Sequence, residues 1–242
     1  MLGNIANVCG RFVSSNSPDE IAAYFGAVVD PDVPEPDVER ENFNVAPTDD
    51  VLAVVADRGL HRAVKSYRWG LVPSWAKDVK VGAKMINARA ETIGEKSVFK
   101  KLMHGKRLLV PMDGFYEWQV VPGEKVKRPM FVHRVDGEPL AVAGLWAAWR
   151  DPAVKDDDAA WLHSCTVITT SANGTMAPIH DRMPVILPES RWDEWLDPNN
   201  DDLESLLRLL VPIDDDVLTM HEVSTDVNSV RNNGPELVAP VS

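Results

Sequence analysis

"RLLVPMDGFYEW", residues 107–118, joins an apolar run of strand length to a polar stretch carrying Asp113 and Glu117. A run of that length and composition reads as a β-strand rather than a helix. The same signature recurs in "VLAVVA" (51–56), "AVKSYRWG" (63–70), "MFVHRV" (130–135), "LAVAGLW" (140–146), "CTVITT" (165–170) and "PVIL" (184–187). The fifth of these places Cys165 in a buried strand. Helical patterns are fewer. "SNSPDEIAAYFG" (15–26) has Ser17 as N-cap, Pro18 at the first position, Glu20 closing a capping box and Gly26 as terminator. "SRWDEWL" (190–196) and "DDLESLLRLL" (201–210) read as two further helices with apolar stripes. A Pro/Asp-rich connection spans 30–39, "GEKVK" (123–127) reads as a hairpin tip, and 150–160 as a surface loop. Many strands and few helices predict an α+β domain, built on a twisted, largely antiparallel sheet or partial barrel with flanking helices.

The 242 residues suffice for one large core. No window approaches 18 consecutive apolar residues, so no membrane span is expected. "MLGNIANV" (1–8) has neither a basic n-region nor a long apolar core, which argues against secretion and for a cytoplasmic protein. Two cysteines, Cys9 and Cys165, make no disulfide framework, and six scattered histidines with no CxxC or HExxH indicate no metal site. No cofactor is expected either.

The net charge is −12, but it is unevenly spread. From Arg58 to Arg107 there are 13 Lys/Arg against three acids, a local net of +10, while the other 192 residues hold 12 basic and 34 acidic residues, a net of −22. Such a block is either a localised footprint for a polyanion or a set of solvated basic faces.

Several polar stretches exceed what core packing requires. "FNVAPTDD" (43–50) places Asn44 and Pro47 in a turn. "RWGLVPSWAKD" (68–78) sets Trp69 and Trp75, exposed or half-buried, beside Arg68 and Lys77. In "MINARAET" (85–92), Asn87, Arg89 and Glu91 alternate and share one face if extended. "TTSANGTMAPIHDRMPVIL" (169–187) runs from a strand into a loop holding His180, Asp181 and Arg182. With Cys9 these stretches supply a thiol, a carboxylate, an imidazole and a side-chain amide, the inventory of a nucleophilic site. Each also reads as ordinary structure: a buried cysteine, a core tryptophan, a solvated glutamate, a surface histidine.

Taken in order, "CGRF", "NVAPT", "RWGLVPSW", "NARAET", "DGFYEW" and "APIHDRMPVIL" resemble the SRAP (SOS response-associated peptidase) family of abasic-site processing proteins. The resemblance runs from Cys9 to about Leu237 and includes "VSTDVNSVRNNGPEL" near the end. It implies one mixed α/β domain over 9–238, with a leader at 1–8 and a tail at 239–242. It implies binding of single-stranded DNA that contains an abasic site, and a covalent thiazolidine between the N-terminal cysteine and the ring-opened sugar. By position, the resemblance makes Glu117 a mover of protons and His180 an acid/base on the sugar oxygen and Schiff base. Asn87 would orient the cysteine and the lesion. Arg11 and Arg89 would hold phosphates, and Pro47 and Trp75 would wedge or stack against flanking bases. A basic contact is implied after "NARAET", where this chain has Ser97 with Lys96, Lys100 and Lys101 alongside. The expected setting is the cytoplasm, at damaged nucleoid DNA. Replication proteins are open as partners, and a monomer is the simplest expectation.

The chemistry explains the cysteine. An N-terminal Cys carries an amine and a thiol on adjacent carbons, and its α-amine has a reference pKa of about 7.7–8.0. The amine forms an imine with the C1′ aldehyde, and the thiol then closes a five-membered ring intramolecularly. An internal cysteine, its nitrogen locked in an amide, cannot do this. Eight residues precede Cys9 here. Either they are cleaved off, or translation starts at Val8 on a GUG codon and the initiator is trimmed, which is the preferred expectation. Two rival readings stand beside this one. The first is a thiol autopeptidase or amidase using Cys9, Glu117 and His180, and the second is a non-catalytic single-stranded-DNA-binding module.

Overall fold

The computed structural model describes residues 9–33, 41–153 and 161–241. The leader at 1–8, residues 34–40 of the Pro/Asp-rich connection, residues 154–160 of the predicted surface loop and Ser242 of the tail lie outside the described residues. The strands are β1 (Phe12–Ser14), β2 (Ala27–Val29), β3 (Asn42–Val45), β4 (Asp50–Ala56), β5 (Arg62–Trp69), β6 (Asn87–Arg89), β7 (Arg107–Met112), β8 (Gly114–Gln119), β9 (Arg128–Arg134), β10 (Leu140–Trp149), β11 (Leu162–Ser171), β12 (Arg182–Pro184) and β13 (Leu218–Glu222). The helices are α1 (Pro18–Phe25), α2 (Ala90–Ile93), α3 (Ser97–Met103), α4 (Trp192–Leu196) and α5 (Leu203–Arg208). The α+β expectation holds. None of these helices is long and apolar enough to cross a membrane.

A partial barrel forms the centre. Strands β5, β4, β7, β10 and β11 pair in that order, each antiparallel to the next. β11 then meets β5 in parallel through Ser164↔Arg68 and Cys165↔Trp69, which brings the ladder back on itself. Period-two alternation sorts the side chains of these strands into two cores. On β7, Leu108, Val110 and Met112 point into the barrel with Trp69, Val142 and Cys165. Leu109, with Ala141 and Ala143 of β10, faces the helices, where Phe25, Phe99, Trp192 and Trp195 cover it. β7 is buried on both faces, and that is why its sequence is a near-continuous apolar run.

A second, fully antiparallel sheet of order β13-β9-β8-β1-β3 packs beside the barrel. One face of β8 gives Phe115 to the barrel core, and the other gives Tyr116 to a small cluster with Phe131, Val227 and Leu237. The C-terminal segment therefore closes the outside of this sheet.

The α1 capping box is complete, with Ser17 Oγ accepting from the Glu20 N–H and Glu20 accepting from the Ser17 N–H, and Gly26 ends the helix at φ 59°. Four expectations change. Trp69 is fully buried, its ring edge-on to Phe12 at 5.0 Å, so only Trp75 of the pair is exposed. Asn44 belongs to β3 rather than to the turn that holds Pro47. The extended face of 85–92 ends at Arg89, because α2 begins at Ala90 and Glu91 turns to pair with Arg182 at 2.5 Å. The strand expected at 184–187 ends at Pro184, beyond which only an isolated bridge, Ile186 to Val142, persists.

The basic block also divides. Arg62 pairs with Asp193 and Lys65 with Asp30, each at 2.6 Å, and Arg107 is buried, donating to the carbonyls of Met103, Trp195 and Asp197. Burial lowers the Arg107 pKa to about 10. The solvent-facing positive charge concentrates between Lys77 and Lys101.

Candidate active site

The β1–β8 ladder sets the site. Phe12 pairs with Phe115, Val13 with Gly114, and the Tyr116 N–H donates to the Arg11 carbonyl at 3.0 Å. Gly114 is required here, since a Cβ on it would lie 2.6 Å from the Val132 carbonyl oxygen of β9. Three residues before Phe12 the chain turns: Cys9 has φ 48°, in the left-handed region. Its nitrogen thereby leaves the ladder direction and donates to Glu117 Oε1 at 2.6 Å. Both residues are buried, Cys9 at 0% and Glu117 at 3% exposure.

Burial without a matching cation destabilises the charged carboxylate, and the Glu117 pKa rises to about 7. Hydrogen bonds from the Cys9 and Trp118 N–H groups and the charge of Lys127 oppose the rise. The Cys9 thiol is pushed well above its ordinary value, first by burial and then by the Glu117 charge. At neutral pH the thiol holds its proton, and Glu117 is poised between its two states.

Asn87 and His180 follow residues that belong to the apolar cluster holding Cys9. Ile86 and Met176 pack in the same apolar cluster as Cys9. The Ile86 carbonyl accepts from Trp69 Nε1 at 3.1 Å and from the Val167 N–H at 3.0 Å, which fixes Asn87 where β6 runs along β11. The His180 N–H donates to the Met176 carbonyl at 3.1 Å, which ties the His180 backbone to that cluster. Its Nδ1 accepts the Arg182 N–H at 3.0 Å and lies 2.9 Å from Asp181 Oδ1. Burial lowers the His180 pKa against the pull of Asp181, with Lys127 and Arg182 adding to the fall. A neutral ring that accepts at Nδ1 carries its proton on Nε2.

The remaining predicted residues divide between anchored and open. Arg11 Nη1 donates to Asn44 Oδ1 at 2.6 Å and to the Val227 carbonyl at 3.0 Å, and the guanidinium sits 6.0 Å from the Trp118 ring. Asn44 Nδ2 in turn donates to the Val227, Ser229 and Asn232 carbonyls. Pro47 lies in a turn clamped to the barrel by Thr48 N–H to the Trp69 carbonyl and Trp69 N–H to the Asp49 carbonyl, both 2.8 Å. Trp75 is 68% exposed, and Arg89, Lys96 and Lys100 face solvent. Asp113, beside Glu117 in the sequence, serves the opposite end of β8, where it accepts from Ser15 N–H and Oγ at 2.6 Å.

Three further contributors had no role assigned from the sequence. Lys127 acts on both Glu117 and His180 although it sits at the end of a hairpin loop. Asn44 is the hub tying Arg11 to the 224–233 segment, and Arg182 braces the His180 loop by its pairing with Glu91. Asn44 and Arg182 carried a signal, their places in "NVAPT" and "APIHDRMPVIL", and Lys127 carried none. Among the described residues no group of three or more His, Cys, Asp or Glu is arranged to hold a metal.

A family model described as SOS response associated peptidase (SRAP) matches residues 8–230. The chain belongs to the SRAP family. It is 42% identical over 231 residues to the abasic site processing protein YoqW of Bacillus subtilis, covering 96% of this chain and 99% of that one. It is 30% identical over 235 residues to the abasic site processing protein YedK of Escherichia coli, covering 97% and 100%. The abasic site processing protein HMCES of Xenopus tropicalis is 36% identical over 200 residues, 74% of this chain and 58% of that one. Among solved structures, a protein from Bacteroides thetaiotaomicron superposes with a TM-score of 0.82 at 25% identity, covering 97% of this chain and 100% of that one. This SRAP chain therefore matches the two bacterial relatives in sequence, and the Bacteroides structure in fold, along nearly its whole length.

Proposed function

We propose that this protein captures abasic sites in single-stranded DNA by forming a thiazolidine between Cys9 and the C1′ aldehyde of the ring-opened sugar. The observation that carries the reading is the Cys9 nitrogen held 2.6 Å from a buried carboxylate whose pKa lies near neutrality. An ordinary structural cysteine has no use for that partner. Abasic-site processing is also the activity in the names of the relatives.

The active form begins at Cys9. Glu117 then takes a proton from the α-ammonium, leaving a neutral amine that adds to C1′. The resulting carbinolamine loses its hydroxyl as water, with Glu117 returning the proton, and a protonated imine remains. The thiol adds across the C=N bond, sulfur to carbon and its proton to nitrogen, so the net reaction releases one water. A protonated resting thiol suits this order, since sulfur attacks only after the imine exists. It disfavours a thiol peptidase, whose nucleophile must be a thiolate from the start. His180, whose neutral ring carries its proton on Nε2, is suited to donate to the sugar ring oxygen as it opens. The backbone adds support. A left-handed φ at a non-glycine residue costs on the order of 1–3 kcal/mol, part of it through the preceding carbonyl, and a chain starting at Cys9 has no such carbonyl.

The test uses the 242-residue chain and a chain starting Met-Cys9, each with its intact mass recorded. Both are mixed with single-stranded DNA bearing one abasic site and run on a denaturing gel. Crosslinking by the Cys9-first chain, and by the longer chain only once trimmed, is expected. Equal crosslinking by an untrimmed longer chain, or none by either, overturns the aminothiol mechanism.

A further inference from the structure

The loop that carries His180 runs from the end of β11 to the start of β12, and two polar residues outside the site described above pin it. Asn173 is buried at 9% exposure, and its side chain uses both ends. Oδ1 accepts the Met176 N–H at 3.0 Å, while Nδ2 donates to the Ile213 carbonyl at 3.0 Å and the Asp214 carbonyl at 3.5 Å. Asp215 meets the next two residues. Its Oδ1 accepts the Gly174 N–H at 2.6 Å, and its carbonyl accepts the Thr175 hydroxyl at 2.7 Å. We propose that Asn173 and Asp215 are positioning residues for His180, forming a clamp that fixes its loop to the sheet carrying Glu117. The proposal rests on the acid/base role given to His180 above.

Both ends of the clamp lead to the reacting groups. On the loop side, the Asn173 carbonyl accepts the Ala177 N–H at 2.9 Å, and the Met176 carbonyl accepts the Ile179 and His180 N–H groups at 2.9 and 3.1 Å. One side-chain cap therefore starts a run of turns that ends on His180. On the other side, residues 213–215 lead into β13, which pairs with β9, and β9 pairs with β8 through Met130↔Glu117. A further tie comes from β8 itself, where Gln119 Nε2 donates to the Pro178 carbonyl at 3.4 Å. Residues 172–181 hold only turns between the two strands, so the shape of the loop depends on these outside partners. The residue facing the Asp215 carboxylate is Gly174, where a Cβ would collide with it. A reacting group gains most from being held in place before the substrate arrives, and a misplacement of about 1 Å can cost about 10²-fold in rate.

The clamp is tested by the single-turnover rate of crosslinking of a Cys9-first chain to single-stranded DNA bearing one abasic site. Asn173→Ala is expected to slow it about tenfold and Asp215→Ala about threefold, the scale of a small misplacement. Asp215→Asn should stay close to the unaltered rate, because its amide oxygen still accepts from Gly174. In a His180→Ala background neither alanine variant should slow the reaction further by more than about twofold, since residues that act through His180 then have nothing to position. Asp215 is exposed, so its variants keep a folded chain available should Asn173→Ala lower the thermal midpoint. A second readout needs no DNA. The His180 ring, followed by NMR through a pH titration of the 242-residue chain, should titrate closer to its ordinary value in Asn173→Ala, as a loosened loop gives back the burial that lowers it and leaves Asp181, Lys127 and Arg182 in the chain. Equal slowing with and without His180, unchanged rates in both alanine variants, or Asp215→Asn as slow as Asp215→Ala overturns the proposal. A full rate in His180→Ala alone removes the role of His180 and the clamp with it, and leaves the Cys9 mechanism. No crosslink from the unaltered chain removes the Cys9 mechanism, and the clamp then stands or falls on whether the His180 titration moves.

Discussion

Cys9 and Cys165 are equally buried, at 0% exposure, and pack in the same apolar cluster. Burial is the leading cause of the raised pKa of both thiols, and a neighbouring carboxylate raises each further: Glu117 for Cys9, Asp50 for Cys165. Judged by sulfur alone they are the same residue. Their nitrogens differ. Cys165 sits in mid-strand, paired with Trp146 on β10 and Trp69 on β5, where the backbone serves the ladder. Cys9 sits one turn outside the ladder, and its nitrogen faces a buried carboxylate instead of a carbonyl. On the proposed mechanism, what sets Cys9 apart is the partner of its nitrogen rather than the exposure or acidity of its thiol.

The sharpest way to break this comparison is to remove each sulfur in a Cys9-first chain. Cys9→Ala should abolish the denaturation-resistant complex with abasic single-stranded DNA, and Cys165→Ala should leave its yield intact. A complex surviving Cys9→Ala would place the covalent bond elsewhere.

The carboxylate beside the nitrogen gives the next largest effect. Glu117→Gln should slow crosslinking by about 10²-fold or more, the usual scale for a positioned general acid/base. In a Cys9-first chain the α-ammonium beside Glu117 favours the carboxylate, so the rising limb of the pH–rate profile should lie below the pH of about 7 at which Glu117 ionises beside an amide nitrogen, and that limb should vanish in Glu117→Gln. Stability should move the other way. The folded-state pKa is raised from the usual 4.5 to about 7, so the folded state holds its proton more tightly than the unfolded one. Glu117 thus adds stability below pH 4.5 that is lost as pH rises to about 7, some ~3 kcal/mol in all. Urea unfolding at pH 8 should show Glu117→Gln more stable than the unaltered chain, with the gap closing at pH 4.5. No gap at pH 8 would mean that the carboxylate is better solvated than its burial implies.

The smallest effect sharpens the structural side. Cys165→Ala removes one buried sulfur from a packed strand and should cost about 1–2 kcal/mol, read in the same unfolding experiment. Loss of crosslinking without loss of stability in that variant would contradict the division of labour between the two cysteines.

The sequence by itself determined what depends on neighbours in the chain. The run "RLLVPM" became β7 with its predicted ends, and Ser17, Glu20 and Gly26 capped α1 as their side chains dictate. The order of six short motifs identified the family, because each motif serves one local geometry. Local dihedral preferences, side-chain periodicity and capping act over a few residues, and so they can be read in one. Tertiary structure decided everything that joins distant positions. Trp69 and Trp75 stand six residues apart in one motif, yet packing against Phe12 buries the first and leaves the second open. Of the basic residues at 58–107, Arg62 and Lys65 are claimed by acids from outside the block and Arg107 by helix-end carbonyls, which the charge count could not foresee. Cys9 and Glu117 lie 108 positions apart, and only the β1–β8 register brings nitrogen to carboxylate. Register and burial are set by the whole fold, since they follow from which apolar faces find each other rather than from any stretch of chain alone.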